Sequence, residues 1–345
     1  MSSEAIPMRT LGDKGPSVPA LGLGLSSLTY DVYGSVPSDE DRLAFLDHAY
    51  DLGARFWDTA DIYGDGEALL RTWFKQSGKR DQIFLASKFG LLRGSPTHEV
   101  DSSAAYCRKT CQATLDALGI DCIDLYYMHS AKYEVPIEET MRAMVELQTE
   151  GKIKHIGLCA VSSATLVRAC KIARVAAVQV EYSPFVLDIE IATGTDLLAT
   201  ARRLGVAIVA AMPLGRGLLT STFARGDALG DAKDKRAQYI PRFHEDNRGK
   251  NVELVAQWQT LAHKKRCTAS QLALAWLLMQ GSDIVPIPGT KRVQYLDENW
   301  ASLNIQLSNE DELEVRAFLR NAQPAGHYMP AQFMHYIFRD TVEEA

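Results

Sequence analysis

Four side chains between residues 58 and 129 have the types needed for proton chemistry at an oxygen: Asp58, Tyr63, Lys88 and His129. A free tyrosine has a pKa near ~10, too high for efficient proton donation at neutral pH. A neighbouring Lys⁺ stabilises tyrosinate and lowers that value, and an Asp⁻ beside the lysine keeps it charged and oriented. A neutral histidine can hydrogen-bond a substrate oxygen and fix its position. Together they make a proton donor aimed at an oxygen that becomes negative, which suits carbonyl reduction. Singly, each has a plainer use. Asp58 and Lys88 could form a salt bridge, and His129 could donate to a backbone carbonyl. Joint use requires a fold that gathers three separate segments.

The hydrophobic pattern supplies such a fold. Continuous apolar, β-branched runs at 19–25, 54–59, 82–88, 122–128, 153–158, 175–180, 206–212 and 283–288 predict strands buried on both faces. Helical patterns lie between them, as at 39–51, 102–118, 138–150, 163–173 and 195–204. Ser38 and Pro136 mark helix starts; Gly53, Gly119, Gly151 and Gly205 mark stops. Eight strand–helix units predict a closed (β/α)8 TIM barrel. The competing open, doubly wound sheet announces itself by a glycine-rich turn. Gly22-Leu23-Gly24 begins like that turn but lacks the third glycine.

In a barrel, catalytic groups come from the C-terminal ends of the strands. Asp58 and Tyr63 then follow strand 2, Lys88 ends strand 3 and His129 ends strand 4. Gln179 and Glu181 end strand 6. Strand 7 runs into Leu214, Gly215 and Arg216, and strand 8 into Gly289, Lys291 and Arg292. The barrel is expected to be one domain over residues 1–321. The polar stretch 213–250 is too long for a plain connection and reads as a functional loop or lid. The tail 322–345, with His327, Tyr328, Met329 and Phe333, either closes over the barrel mouth or packs on the wall.

Composition excludes other classes. Lys+Arg is 37 against Asp+Glu 43, a net charge of −6 with no long basic run, so nucleic acid is not expected as a partner. No apolar run reaches the ~18–20 residues of a membrane span, and the N-terminus lacks an apolar signal core. The six cysteines include no Cys-x-x-Cys, which predicts reduced thiols, no metal site and a cytoplasmic location.

The segments around these residues resemble the aldo-keto reductase family. Gly53 to Gly64, carrying Asp58 and Tyr63, is similar to its catalytic Asp/Tyr segment; Ala86-Ser87-Lys88 and Asp124 to His129 are similar to its lysine and histidine segments. Further similar segments are Val178 to Ser183, Pro213 to Gly217 and Ile287 to Lys291, in family order from about residue 8 to 321. Pro241-Arg242-Phe243 and Gly326-His327-Tyr328 look like the bacterial and fungal branch with a long loop after strand 7. The resemblance implies an NADPH-dependent, metal-free reductase of aldehydes or ketones. Tyr63 would be the general acid, Asp58 and Lys88 would tune it, and His129 would orient the carbonyl. Gln179 would hold the carboxamide; Leu214, Gly215 and Arg216 would line the pyrophosphate path. Gly289, Lys291, Arg292, Tyr295 and Asn299 would surround the adenosine end, with Glu298 near the adenine or ribose. The Lys291–Arg292 pair suits a 2′-phosphate better than a ribose hydroxyl.

Three positions depart from the family pattern. Cys159-Ala160 replaces the usual Ser-Asn or Ser-Glu, Ala210-Ala211-Met212-Pro213 offers only alanine and methionine where an aromatic usually stacks on the nicotinamide, and Ser130-Ala131-Lys132 follows His129 without the usual Arg and Asp. The first two thin the nicotinamide clamp and favour a second reading, a nicotinamide-binding sensor with slow catalysis; alcohol oxidation at the same site is a third. Tyr30, Tyr33, Phe89 and Leu91 are the expected substrate pocket, suited to an aromatic or bulky carbonyl.

Overall fold

The computed structural model describes residues 6–95, 99–227 and 230–344. Residues 1–5 of the N-terminal segment, 96–98, 228–229 of the expected lid and the tail's last residue, 345, lie outside them. The chain opens with an antiparallel hairpin, β1 (Met8–Thr10) and β2 (Ser17–Pro19). Leu11, just after β1, and Val18 of β2 are fully buried in one cluster with Phe56, Leu125 and Val209 of the barrel interior, so the hairpin plugs the N-terminal end.

Eight parallel strands follow in strict sequence order: β3 (Leu23–Gly24), β4 (Phe56–Asp58), β5 (Phe84–Phe89), β6 (Ile123–Met128), β7 (Ile153–Cys159), β8 (Val175–Glu181), β9 (Ala207–Ala211) and β10 (Ile284–Pro286). Helices lie between them, so this is a TIM-barrel fold. The first and last strands meet: Gly22 N–H donates to Pro286 O at 2.9 Å and Gly24 N–H to Pro288 O at 3.2 Å. A Cβ at Gly22 would stand 2.8 Å from Phe56 and Ile287, and one at Gly24 3.0 Å from Ile287 O. The partial phosphate-turn motif therefore serves strand closure. The last strand is shorter than its apolar run because Pro286 and Pro288 have no N–H to give to a ladder, and the first because Pro19 at the start of its run belongs to the hairpin.

Helix boundaries follow the sequence signals. Ser38 accepts from Asp41 N–H at the start of helix Asp39–Leu52, which ends at Gly53 with φ 91°. The stretch 213–250 is less irregular than its composition suggests. It carries short helices at Ser221–Ala224 and Arg236–Tyr239, and a 20-residue helix, Glu245–Lys264, begins inside it. The tail runs along the C-terminal rim of the barrel. Asn251 holds Ala325 at 2.7 and 2.9 Å, Arg339 N–H donates to Ala160 O, and Val342 N–H donates to Tyr133 O. Among the described residues no helix is long and apolar enough to cross a membrane.

Candidate active site

Strand register places Asp58 and Lys88. Asp58 ends β4 opposite Ala86 of β5, and Lys88 lies two residues further along β5 on the same inward face. Lys88 is fully buried, and its Nζ donates to Asp58 Oδ1 at 2.5 Å and to Thr59 O at 2.7 Å. The other oxygen of Asp58 accepts from Gln179 Nε2 at 2.7 Å. Each charge is thus taken from water but paired, the condition for burying ions at tolerable cost. Above the pair, Lys88 Nζ lies 5.0 Å from the Tyr63 ring centroid, and His129 stands edge-on to Tyr63 at 5.9 Å.

The electrostatics refine the expected role of the lysine. Burial pushes the Tyr63 phenol up to about 12; Lys88 opposes that rise and Asp58 adds to it. The lysine offsets burial without bringing the phenol below its ordinary value, so Tyr63 is fully protonated at neutral pH. Burial, and then the charge of Lys88, hold His129 well below the usual histidine range. It is a neutral ring, and its Nδ1 is buried without a hydrogen-bond partner among the described residues. Burial pulls Lys88 down, but Asp58, Tyr63 and Cys159 together raise it.

A cavity of about 680 Å³ opens over this floor. Asp58, Tyr63, Gln179, Leu214 and Arg216 line it, whereas Lys88 and His129 do not. Gly289, Lys291, Arg292, Tyr295, Glu298 and Asn299 line it too. Most of the sequence-predicted residues are thus brought to one space. Gly215 is buried in the turn Gly215–Gly217 beside it. Tyr33 lines the cavity; Tyr30, expected beside it, does not, and lies 6.5 Å from the Tyr63 ring. Two further expectations are corrected. Phe89 is fully buried in the core, stacked on Tyr126 at 5.1 Å, because the alternation along β5 that turns Lys88 inward turns Phe89 outward. Leu91 pairs with Val100 beyond the strand end and does not line the cavity.

The Aldo/keto reductase family model matches residues 20–320. This chain belongs to that family. It is 42% identical over 341 residues, 98% of each chain, to a Schizosaccharomyces pombe protein named aldo-keto reductase yakc, NADP(+). It is also 42% identical over 327 residues, 93% of this chain and 94% of the other, to aldo-keto reductase str7 of Strobilurus tenacellus. Among solved structures, the thermostable aldo-keto reductase Tm1743 in complex with the inhibitor epalrestat has a TM-score of 0.71 at 28% identity, covering 91% of this chain and 100% of that one. The glycerol dehydrogenase AKR11B4 of Gluconobacter oxydans, at 24% identity and a TM-score of 0.79 over 95% and 98%, shares the fold.

The outer wall of this aldo/keto reductase holds features that sequence reading missed. Lys291 does not stand free: its Nζ donates to the carbonyls of Tyr33 at 2.8 Å and Ser35 at 2.7 Å. Arg292 forms no salt bridge among the described residues and lies over the Tyr295 ring at 5.5 Å. Glu298 accepts from Thr268 Oγ1 at 2.6 Å. Arg216 pairs with Glu181 at 2.9 Å, and Arg236 donates to Arg216 O at 2.7 Å while resting 5.4 Å from the Tyr33 centroid. Asp231 accepts from Ser35 N–H at 3.0 Å, and Lys235 pairs with Asp31 at 2.5 Å, so the loop after β9 is tied across to the loop after β3. No local motif marks those ties. Met212 and Ala160, two of the three departures, have φ near 49°, a left-handed conformation unusual for such residues. The Met212 sulfur lies 3.7 Å from the Tyr33 hydroxyl, so an aromatic ring from another loop approaches the position the family fills from β9.

Proposed function

We propose that this aldo/keto reductase uses NADPH to reduce an aldehyde or ketone to the alcohol, with Tyr63 as the general acid. One observation carries the reading: a protonated tyrosine, with a neutral histidine edge-on to it, stands over a buried Lys88–Asp58 pair and lines, with Asp58, the same cavity as Arg292. Tyr63 donates its proton to the carbonyl oxygen as negative charge builds there. Lys88 stabilises the tyrosinate left behind, and Asp58 and Thr59 O keep the ammonium in place. His129 orients the oxygen through its neutral ring.

The cavity suits a nicotinamide dinucleotide. Gly24, Ser27, Gly289 and Thr290 line one wall, where a Cβ at Gly289 would stand 3.0 Å from Gly24 O, so the two glycines pack backbone against backbone. Ser27 Oγ, on the same wall, is buried without a hydrogen-bond partner among the described residues. Bound NADPH supplies the hydride. Arg292 and Tyr295 would hold the adenosine end with Asn299 and Glu298; Arg292 is the group suited to a 2′-phosphate. The NADP(+) in the name of the yeast relative favours the same cofactor. Tyr30 and Tyr33 suit an aromatic or bulky carbonyl. The cysteines of the chain are unpaired thiols, which fits action in the reducing cytoplasm.

The test follows NADPH absorbance with a panel of aldehydes and ketones, for wild type and Tyr63→Phe. Loss of the positioned donor should cost on the order of 10²–10³ in rate. Equal rates would refute the assignment of Tyr63. NADPH binding with no turnover of any carbonyl would favour the sensor reading.

A further inference from the structure

Behind the Tyr63 turn, two more carboxylates are buried, and among the described residues the one ion pair either makes is that of Glu67 with the exposed Arg93 at 3.5 Å. Asp61 is 5% exposed and Glu67 4%. They bracket the turn: Asp61 lies two residues before Tyr63, and Glu67 sits in the first turn of helix Gly66–Ser77. Asp61 Oδ1, Glu67 Oε1 and the hydroxyl of the fully buried Tyr126 are all enclosed with no hydrogen-bond partner among the described residues. Thr114 and Tyr106 face the same space from helix Ala104–Leu118.

Counting charge shows the problem. Two cations act on Asp61, Arg93 and Lys88. Lys88 is committed to Asp58. Arg93 donates its Nε to the backbone oxygen of Asp61 and reaches Glu67 only at 3.5 Å, with its side chain 60% exposed. One solvent-screened cation beside two buried carboxylates leaves a negative charge in excess. Like charges sharing a buried site relieve it by retaining a proton.

We propose that Asp61 and Glu67 hold one shared proton at neutral pH, and that this proton keeps the Tyr63 turn in place over Lys88. Both are positioning residues: they act through the turn and touch no reacting atom. Burial, and then the charge of Glu67, push Asp61 up to about 7, and burial raises Glu67 as well. Loss of the proton puts like charges at both ends of a turn held by Tyr63 N–H to Ala60 O and Gly66 N–H to Tyr63 O, at 3.1 and 3.0 Å. The sign of the stability effect follows. The unfolded chain releases this proton near ~3.9, and the folded chain keeps it to about 7. The pair therefore costs stability progressively as pH rises between those values, and the cost is constant above them.

The proton itself can be read without cofactor or substrate, by carboxyl ¹³C NMR of aspartate- and glutamate-labelled protein titrated from pH 4 to 9. One aspartate carboxyl should titrate near 7 in wild type, and its signal should vanish in Asp61→Asn. In Glu67→Gln the Asp61 signal should move down toward the ordinary range. If every aspartate in wild type titrates below about 5, the shared proton is refuted, whatever the variants do. The positioning half rests on the reductase reading and is tested by kcat against pH. Wild type should lose about threefold or more through the pH of the NMR transition, and Asp61→Asn should lack that step. A step that persists in Asp61→Asn, or is missing from wild type, overturns it. A normal NMR titration in an active reductase would sink the proton and spare the function. A shared proton in a protein that reduces nothing would do the reverse.

Discussion

The floor of the cavity and its outer wall are built in opposite ways. At the floor, charged groups come from barrel strands and are satisfied by other strands. Lys88 of β5 binds Asp58 of β4, and Asp58 is held by Gln179 from β8 across the barrel. At the wall, loops tie to loops: Asp231 to Ser35, Lys235 to Asp31, Lys291 to the carbonyls of Tyr33 and Ser35. A buried pair cannot be opened without stranding a charge, whereas exposed ties are individually weak. On the proposed reading, this difference gives rigidity to the part that would do chemistry and adaptability to the part that would admit the cofactor.

The largest effect should come from the floor. Lys88→Met leaves Asp58 buried and unpaired, and should cost about 3–5 kcal/mol of stability by denaturant unfolding, together with the activity. Adding Asp58→Asn should recover part of that stability and none of the activity. A Lys88→Met protein as stable as wild type would mean that the floor is not a dry ion pair. The outer wall should respond in affinity alone. Arg292→Ala should weaken NADPH about tenfold or more and NADH much less; equal losses would remove Arg292 from the 2′-phosphate. The smallest effect should come from the loop tie. Asp231→Asn should change the cofactor release rate by only about twofold and lessen its dependence on salt. A large loss of fold stability would show that the tie supports the barrel.

The same contrast governs what could be read from sequence. Asp58, Lys88 and Gln179 were readable because strand periodicity and the barrel rule fix which residue ends a strand and which way it points. The same alternation, applied to Phe89, would have put it in the core; adjacency to Lys88 was the misleading cue. Lys291 and Arg292 look alike in sequence, but one is spent on two carbonyls more than 250 residues away and the other is not. Contacts between loops depend on the closure of the whole barrel, and no local period encodes them. Burial was the other missing quantity. From spacing, Lys88 lowers the phenol; in the fold, desolvation outweighs it. Asp61 reads as one more polar residue after a strand until its enclosure beside Glu67 is seen.

The division between floor and wall is tested most directly by single-turnover reduction of one aldehyde, measured across a range of NADPH concentrations for Tyr63→Phe and Arg292→Ala. Tyr63→Phe should lower the limiting rate on the order of 10²–10³ and leave the half-saturating NADPH concentration near wild type. Arg292→Ala should do the opposite, raising that concentration and sparing the limiting rate. If both variants shift the same parameter, chemistry and cofactor binding are not divided between the floor and the wall.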